Sequence, residues 1–154
     1  MHSAVNCSLH DGVKLMLIPF KKEHLEVMDI REHEKKIFRE TNQLQALERC
    51  VAYTAVYDGR VVLCAGFALF GNGNAEIWMV PSIYMGEYIK PLCKTVRKWV
   101  EEQQKALFLR RMQTACMDDD LHNGWMRYLR FEREGTLRRY FDGKDYGMWG
   151  RIWE

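Results

Sequence analysis

The chain has no C-x-x-C pair, no two histidines at H-x-x-x-H spacing and no marked excess of charge of one sign. Each lack excludes something. Its five cysteines (Cys7, Cys50, Cys64, Cys93 and Cys116) are odd in number and scattered, which reads as reduced thiols in a cytoplasmic setting and not as a disulfide framework. Five histidines without ligand spacing give no case for a zinc site. A formal net charge of +2 over 154 residues gives no general case for nucleic acid, which asks for a strongly basic face. The longest apolar run, Val61–Phe70, is about half the length a membrane-spanning helix needs. The opening MHSAVNCSLHDG has no charged-then-apolar pattern, so no secretory leader is expected.

What is present is globular: 47% hydrophobic and 29% charged residues, enough chain for one domain over residues 1–154 with a core that needs no covalent staple. The first apolar run, KLMLIPF (Lys14–Phe20), ends at a proline and predicts a strand. Leu25, Met28 and Ile30, then Ile37, Phe38, Leu44 and Leu47, carry a helical rhythm that fits two helices with a bend near Arg31–Glu34. VAYTAVYDGRVVLCAGFALFGNGNAEIWMV predicts an antiparallel meander of Val51–Tyr57, Val61–Phe70 and Ala75–Val80. Asp58-Gly59 suits a tight hairpin turn with two positive φ values, GNGN supplies the second reversal, and Pro81 ends the third strand.

Pro91 fits the first turn of a helix running to about Gln104, with Leu92, Val96, Trp99 and Val100 on one face. LFLRRMQTAC (Leu107–Cys116) predicts another strand. Asp118–Asp120 would cap a helix reaching about Leu129, a divalent-metal site being the sharper alternative. EREGTLRRYF and YGMWGRIWE predict two closing strands. The strand–helix–strand passage around Val80–Cys116 forces a parallel crossover inside an otherwise antiparallel sheet. The expected fold is therefore α/β (α+β), a mixed sheet of about seven strands with about four helices and a splayed central strand pair.

That order, ending in RYLRFEREGTLRRYFDGKDYGMWGRI, resembles the GNAT superfamily of CoA-dependent N-acyltransferases. Phe131, Gly135, Leu137, Arg138, Asp145, Tyr146 and Met148 match the cadence of the family's last helix and strands, and the resemblance covers about Lys14–Trp153. ERCVAYTAVYDGRVVLCAGF together with IWMVPS also resembles a narrower group, GNAT-like internal virion or morphogenesis proteins of short-tailed phages. The resemblance implies acetyl-CoA as cofactor and an amine-bearing small molecule or protein as acceptor. For the narrower group it implies a phage or host protein as partner, and the host cytoplasm or the virion as location.

The family binds the CoA pyrophosphate on the exposed amides of an R/Q-x-x-G-x-G/A loop and the helix N-terminus behind it. Here VPSIYMGEYIKPL holds one glycine where that loop has several. Gly86 is retained, Met85 stands where Arg or Gln is usual, and Tyr88 and Lys90 replace small residues. The implied cofactor residues are Met79, Val80, Met85, Gly86, Tyr88 and Lys90. Lys90 offers a point charge to a phosphate; alternatively the Tyr88 ring covers the amides and closes the site.

Acyl transfer to an amine needs a base for the amine and an acid for the leaving thiolate. Glu76 sits where the family places its base, the plainer reading being an outward-facing strand residue beside a turn. The family's acid, a Tyr five residues before the Phe, falls on Met126. Tyr128 lies two residues later, about 200° around a helix, and is a candidate only if the register shifts. The family's Gly before that Phe is Arg130. Met79, Trp78, Trp99, Phe108 and Trp125 read as core. Cys116 is a nucleophile only with a base, and His122 alone is close in sequence. The arginines of the last third (Arg110, Arg111, Arg127, Arg130, Arg133, Arg138 and Arg139) read as a solvated face or as a patch for an acidic partner. Three functions follow: an N-acetyltransferase, a non-catalytic protein-binding scaffold, and a nucleic-acid binder.

Overall fold

A computed structural model of the chain describes residues 5–8, 14–40 and 43–154, and the side chains of residues 15–39 and 45–154. The side chains of Cys7 and Leu44 lie outside the described ones. Chain order is β1 (Val5–Ser8), β2 (Lys14–Pro19), α1 (Lys22–Val27), α2 (Glu32–Glu40), α3 (Gln43–Leu47), β3 (Val51–Tyr57), β4 (Arg60–Gly71) and β5 (Asn74–Pro81). A 3₁₀ turn (Met85–Tyr88) follows, then α4 (Ile89–Ala106), β6 (Arg111–Met117), α5 (Asp120–Tyr128), β7 (Glu132–Phe141) and β8 (Lys144–Ile152). The mixed, mostly antiparallel sheet is as expected, with a short extra strand at its start. The chain forms two compact units, Met1–Ala68 with Trp78–Val96 and Leu69–Ile77 with Arg97–Glu154.

In the first unit β1, β2, β3 and β4 pair antiparallel in chain order. Asp58 and Gly59 turn the β3–β4 hairpin at φ 49° and 77°, the two positive values their sequence asked for. Leu25, Met28, Ile30, Cys64 and Val80 form the core, with Phe20, Phe38, Leu47, Val61 and Trp78 packed around them. Gly66 is required where it stands: a Cβ there would meet Ala52 Cβ at 2.7 Å and the Trp78 ring at 2.8 Å, so its absence lets the indole lie against β4.

The helical stretch before β3 makes three helices where two were expected. Met28 leaves α1 in an extended conformation, and Arg31 N–H donates to the Glu34 carboxylate (3.2 Å) as α2 begins. The break thus falls just before Glu32, because Met28 and Ile30 both turn inward to the core.

In the second unit β5 runs parallel to β6 through Asn74, Ala75 and Glu76 against Arg111, Met112 and Gln113. Beyond that three-pair ladder β5 continues to Pro81 and β6 to Met117. β8 pairs antiparallel with both β6 and β7. Ile77, Val100, Met112, Leu129 and Trp149 are fully buried or nearly so.

The strand expected from Leu107 begins instead at Arg111. Phe108 N–H donates to Lys105 O (3.3 Å) and Leu109 N–H to Gln104 O (2.9 Å), a left-handed helix stop with Phe108 at φ 53°. Phe108 is consequently 84% exposed, not core as its hydrophobicity suggested.

Candidate functional site

The junction from β5 to α4 lies wholly in the first unit, and most of its amides are already used. Ser82 N–H donates to Val62 O (2.9 Å), Ile83 to Asp29 O (2.8 Å), Met85 to Ser82 O (3.2 Å) and Glu87 to Tyr84 O (3.0 Å). Tyr84 N–H donates to the Ser82 hydroxyl (3.1 Å), a short side-chain turn. Met85 and Gly86 wind into the 3₁₀ turn that leads straight into α4. Tyr88 does not lie loose over this turn: its ring packs tilted against Tyr57, centroids 4.3 Å apart. Arg60, at the start of β4, lies over the Tyr84 ring at 4.5 Å and reaches Glu87 at 3.8 Å.

Two features of this junction still favour an anion. Gly86 is exposed, and a Cβ built on it meets nothing within 4 Å. Lys90 is exposed in the first turn of α4, a turn without acidic residues, where the helix dipole adds to its charge. The residues present therefore fit a phosphate held by side-chain cations, not one cradled by a nest of main-chain amides. Val80 is buried in the core and Met79 is half-buried beside it on β5.

Glu76 belongs to the second unit. Ala75 and Ile77 point into the core, so strand alternation puts Glu76 on the other face. Its register partner Gln113 accepts a hydrogen bond from Arg111 Nε (3.2 Å). Arg111 in turn holds Glu134 through one nitrogen at 2.8 and 3.1 Å. Gly150 makes room for that pair, since a Cβ there would collide with the Glu134 carboxylate. Half-burial pushes the Glu76 carboxyl above its usual range, because desolvation disfavours the charge.

The end of β6 feeds α5. Asp119 caps that helix by accepting from His122 N–H (2.8 Å), as the acidic run predicted. Asp118 instead takes both arms of Arg133 (2.8 and 3.1 Å) and the Asn123 amide (2.9 Å), which hold its carboxyl down at about 2. Among the described residues no group of three or more His, Cys, Asp or Glu side chains could hold a metal ion. Burial and the Asp119 charge push the Cys116 thiol up to about 11, the opposite of an activated nucleophile.

Met126 is 4% exposed and has no proton to give. Tyr128 is half-buried, stacked on Trp125 (6.3 Å) with Arg97 over its ring (5.3 Å). Arg130 occupies a second left-handed helix stop at φ 66°, with Arg130 N–H on Arg127 O (2.9 Å) and Phe131 N–H on Met126 O (3.0 Å). That geometry explains why glycine is the expected residue there.

Sequence reasoning passed over Arg60, Tyr57, Tyr84 and Glu87. Arg60 directly follows the Asp58-Gly59 turn, so the hairpin that displays it was legible. Its two partners, 24 and 27 positions on in the chain, were not.

No family model and no curated protein sequence matches the chain. Solved structures do. The GNAT domain of S. lividans PAT superposes with a TM-score of 0.70 at 12% identity, over 97% of each chain. A GNAT-family acetyltransferase from Bacillus anthracis gives 0.66 at 13% identity, over 90% of this chain and 94% of that one. A ribosomal L7/L12 α-N-protein acetyltransferase in complex with coenzyme A gives 0.63 at 16% identity, over 90% and 93%. With the β5–β6 parallel crossover and the closing β7–β8 pair, these likenesses establish that the chain has the GNAT acetyltransferase fold.

Proposed function

We propose that the protein is a divergent N-acyltransferase that takes acetyl-CoA as donor and an amine as acceptor. The observation that carries this reading is Glu76: a half-buried carboxyl on β5, on the face opposite the core, with its affinity for protons raised by burial. A base works best when its pKa approaches the operating pH. The fold supports the donor, and the solved neighbour with coenzyme A bound shows what that scaffold holds elsewhere.

In this reading Glu76 takes the proton of the incoming ammonium, so that the free amine attacks the acyl carbonyl. The bound coenzyme supplies the acyl group as a thioester. Within the first unit, Lys90 and the open flank of Gly86 are the groups that fit a phosphate. Proton return to the leaving sulfur has no dedicated donor at the Met126 position, and the Tyr128 ring is engaged by Trp125 and Arg97. Turnover is therefore slow, with water as the acid. The test is thiol release from acetyl-CoA against a panel of primary amines, small and peptidic. Release that no amine accelerates above the protein-free rate refutes the reading.

A second reading, a non-catalytic scaffold that binds a phage or host protein, is favoured by the five loop amides bonded inward and by buried Met126. It predicts no amine-dependent thiol release and a protein partner recovered on the immobilised chain. Acetyl transfer to any amine counts against it.

A further inference from the structure

We infer that Arg60, a residue of the β3–β4 hairpin, is the cation that holds the coenzyme's pyrophosphate in this chain, in competition with Glu87. This rests on the proposed use of acetyl-CoA.

A pyrophosphate next to the β5–α4 junction needs hydrogen-bond donors. Five main-chain amides there are committed to internal acceptors, and Met85 and Tyr88 bring no charge. Positive charge for the phosphates comes from side chains. Lys90 is one, a single point charge. Arg60 is the other: its guanidinium lies over the Tyr84 ring and reaches Glu87, so it stands beside the two residues that flank Met85 and exposed Gly86. A guanidinium presents paired donors that match phosphate oxygens.

Two further observations make Arg60 available. Its contact with Glu87 is long at 3.8 Å, and the two side chains are 49% and 62% exposed, the kind of ion pair that contributes little and exchanges readily. The contact with the Tyr84 ring holds the guanidinium at this place by cation–π attraction. Tyr57, buried under Tyr88, anchors the hairpin against the 3₁₀ turn, so Arg60 is delivered by rigid structure. Glu87 then acts as an internal anion that occupies Arg60 until a phosphate displaces it.

The experiment is titration calorimetry of wild type, Arg60→Gln and Glu87→Gln with CoA, 3′-dephospho-CoA and pantetheine. Arg60→Gln is expected to weaken CoA and 3′-dephospho-CoA alike by about tenfold, the loss of a charged hydrogen bond, and to leave pantetheine unchanged. Glu87→Gln is expected to tighten CoA, because the competing carboxylate is gone, and to steepen the salt dependence of binding. The inference is overturned if Arg60→Gln binds CoA like wild type. It is equally overturned if the loss extends to pantetheine, which marks a structural effect, or vanishes with 3′-dephospho-CoA, which marks the 3′-phosphate. Wild type that binds neither CoA nor pantetheine overturns the proposed function itself, a result separate from all of these.

Discussion

Strands β6 and β5 each run into a helix, and these two junctions are built on opposite electrostatic plans. Where β6 meets α5, Asp119 caps the helix and Asp120 follows in its first turn, so the positive end of the dipole is neutralised by the chain's own carboxylates. Where β5 meets α4, the first turn has no acidic residue; Lys90 stands in it and Gly86 before it opens onto free space. Glu87, in the turn before it, is loosely matched to Arg60. The β6–α5 junction thus carries its own carboxylates at the positive end of its helix, and the β5–α4 junction a lysine.

The largest effect separates chemistry from this contrast. Glu76→Gln changes no residue of either junction, so CoA affinity should hold while acetyl transfer falls by about a hundredfold, the usual contribution of a positioned base. The rate of wild type should be lost as pH falls through the raised Glu76 pKa, since the base must be unprotonated, and the variant should lack that limb. The linkage sign is opposite for stability. A carboxyl whose folded pKa is raised is most stabilising below its unfolded pKa, and that contribution is lost as pH rises through the folded one. Glu76→Gln should therefore melt no lower than wild type at neutral pH. A variant that loses activity and melts lower has lost structure, and Glu76 is then not the base.

Next in size is Lys90→Glu, which gives α4 the acidic first turn that α5 has. CoA binding should weaken by about tenfold or more, through a lost attraction and a new repulsion, with pantetheine affinity unchanged. Equal loss for both ligands would break the contrast between the junctions. Asp119→Ala attacks the other side. It frees the His122 amide that Asp119 caps and should cost about 1 kcal/mol of stability, a fall of about 2–4 °C in melting temperature for a chain of this size. CoA affinity should not move.

Much of this is legible in the sequence. Asp58-Gly59, the GNGN reversal and Pro81 marked the meander because each meets a backbone demand that few residues satisfy, and the run Asp118–Asp120 was readable as a cap for the same reason. The crossover followed from strand–helix–strand order. What stayed hidden depended on distant partners. Nothing local says that Ser82 and Ile83 amides are taken by Val62 and Asp29, or that Tyr88 finds Tyr57 across 31 positions. So the sequence pointed to the cradle's missing glycines but not to the cation from another hairpin that stands beside them. The misplaced start of β6 had a local cause: Leu107-Phe108-Leu109 reads as strand by hydrophobicity, and only the left-handed Phe108 shows that the helix stops there.

The smallest effect concerns the far ends of the same two helices, where the contrast disappears. Both α4 and α5 close with a left-handed stop, and both place a residue with a side chain in it, Phe108 at φ 53° and Arg130 at φ 66°. Such a conformation costs a non-glycine residue about 1–2 kcal/mol, offset in part by the greater unfolded-state freedom of glycine, about 0.5–1 kcal/mol. Phe108 is 84% exposed and Arg130 is exposed too, so little packing is lost on truncation. Phe108→Gly and Arg130→Gly should each stabilise the chain by about 0.5–1 kcal/mol in urea unfolding, with the slope of the transition unchanged. A destabilised variant would mean that the side chain holds something beyond its own turn. For Arg130, unchanged acetyl transfer alongside the gain would show that arginine at this position serves neither the fold nor the reaction.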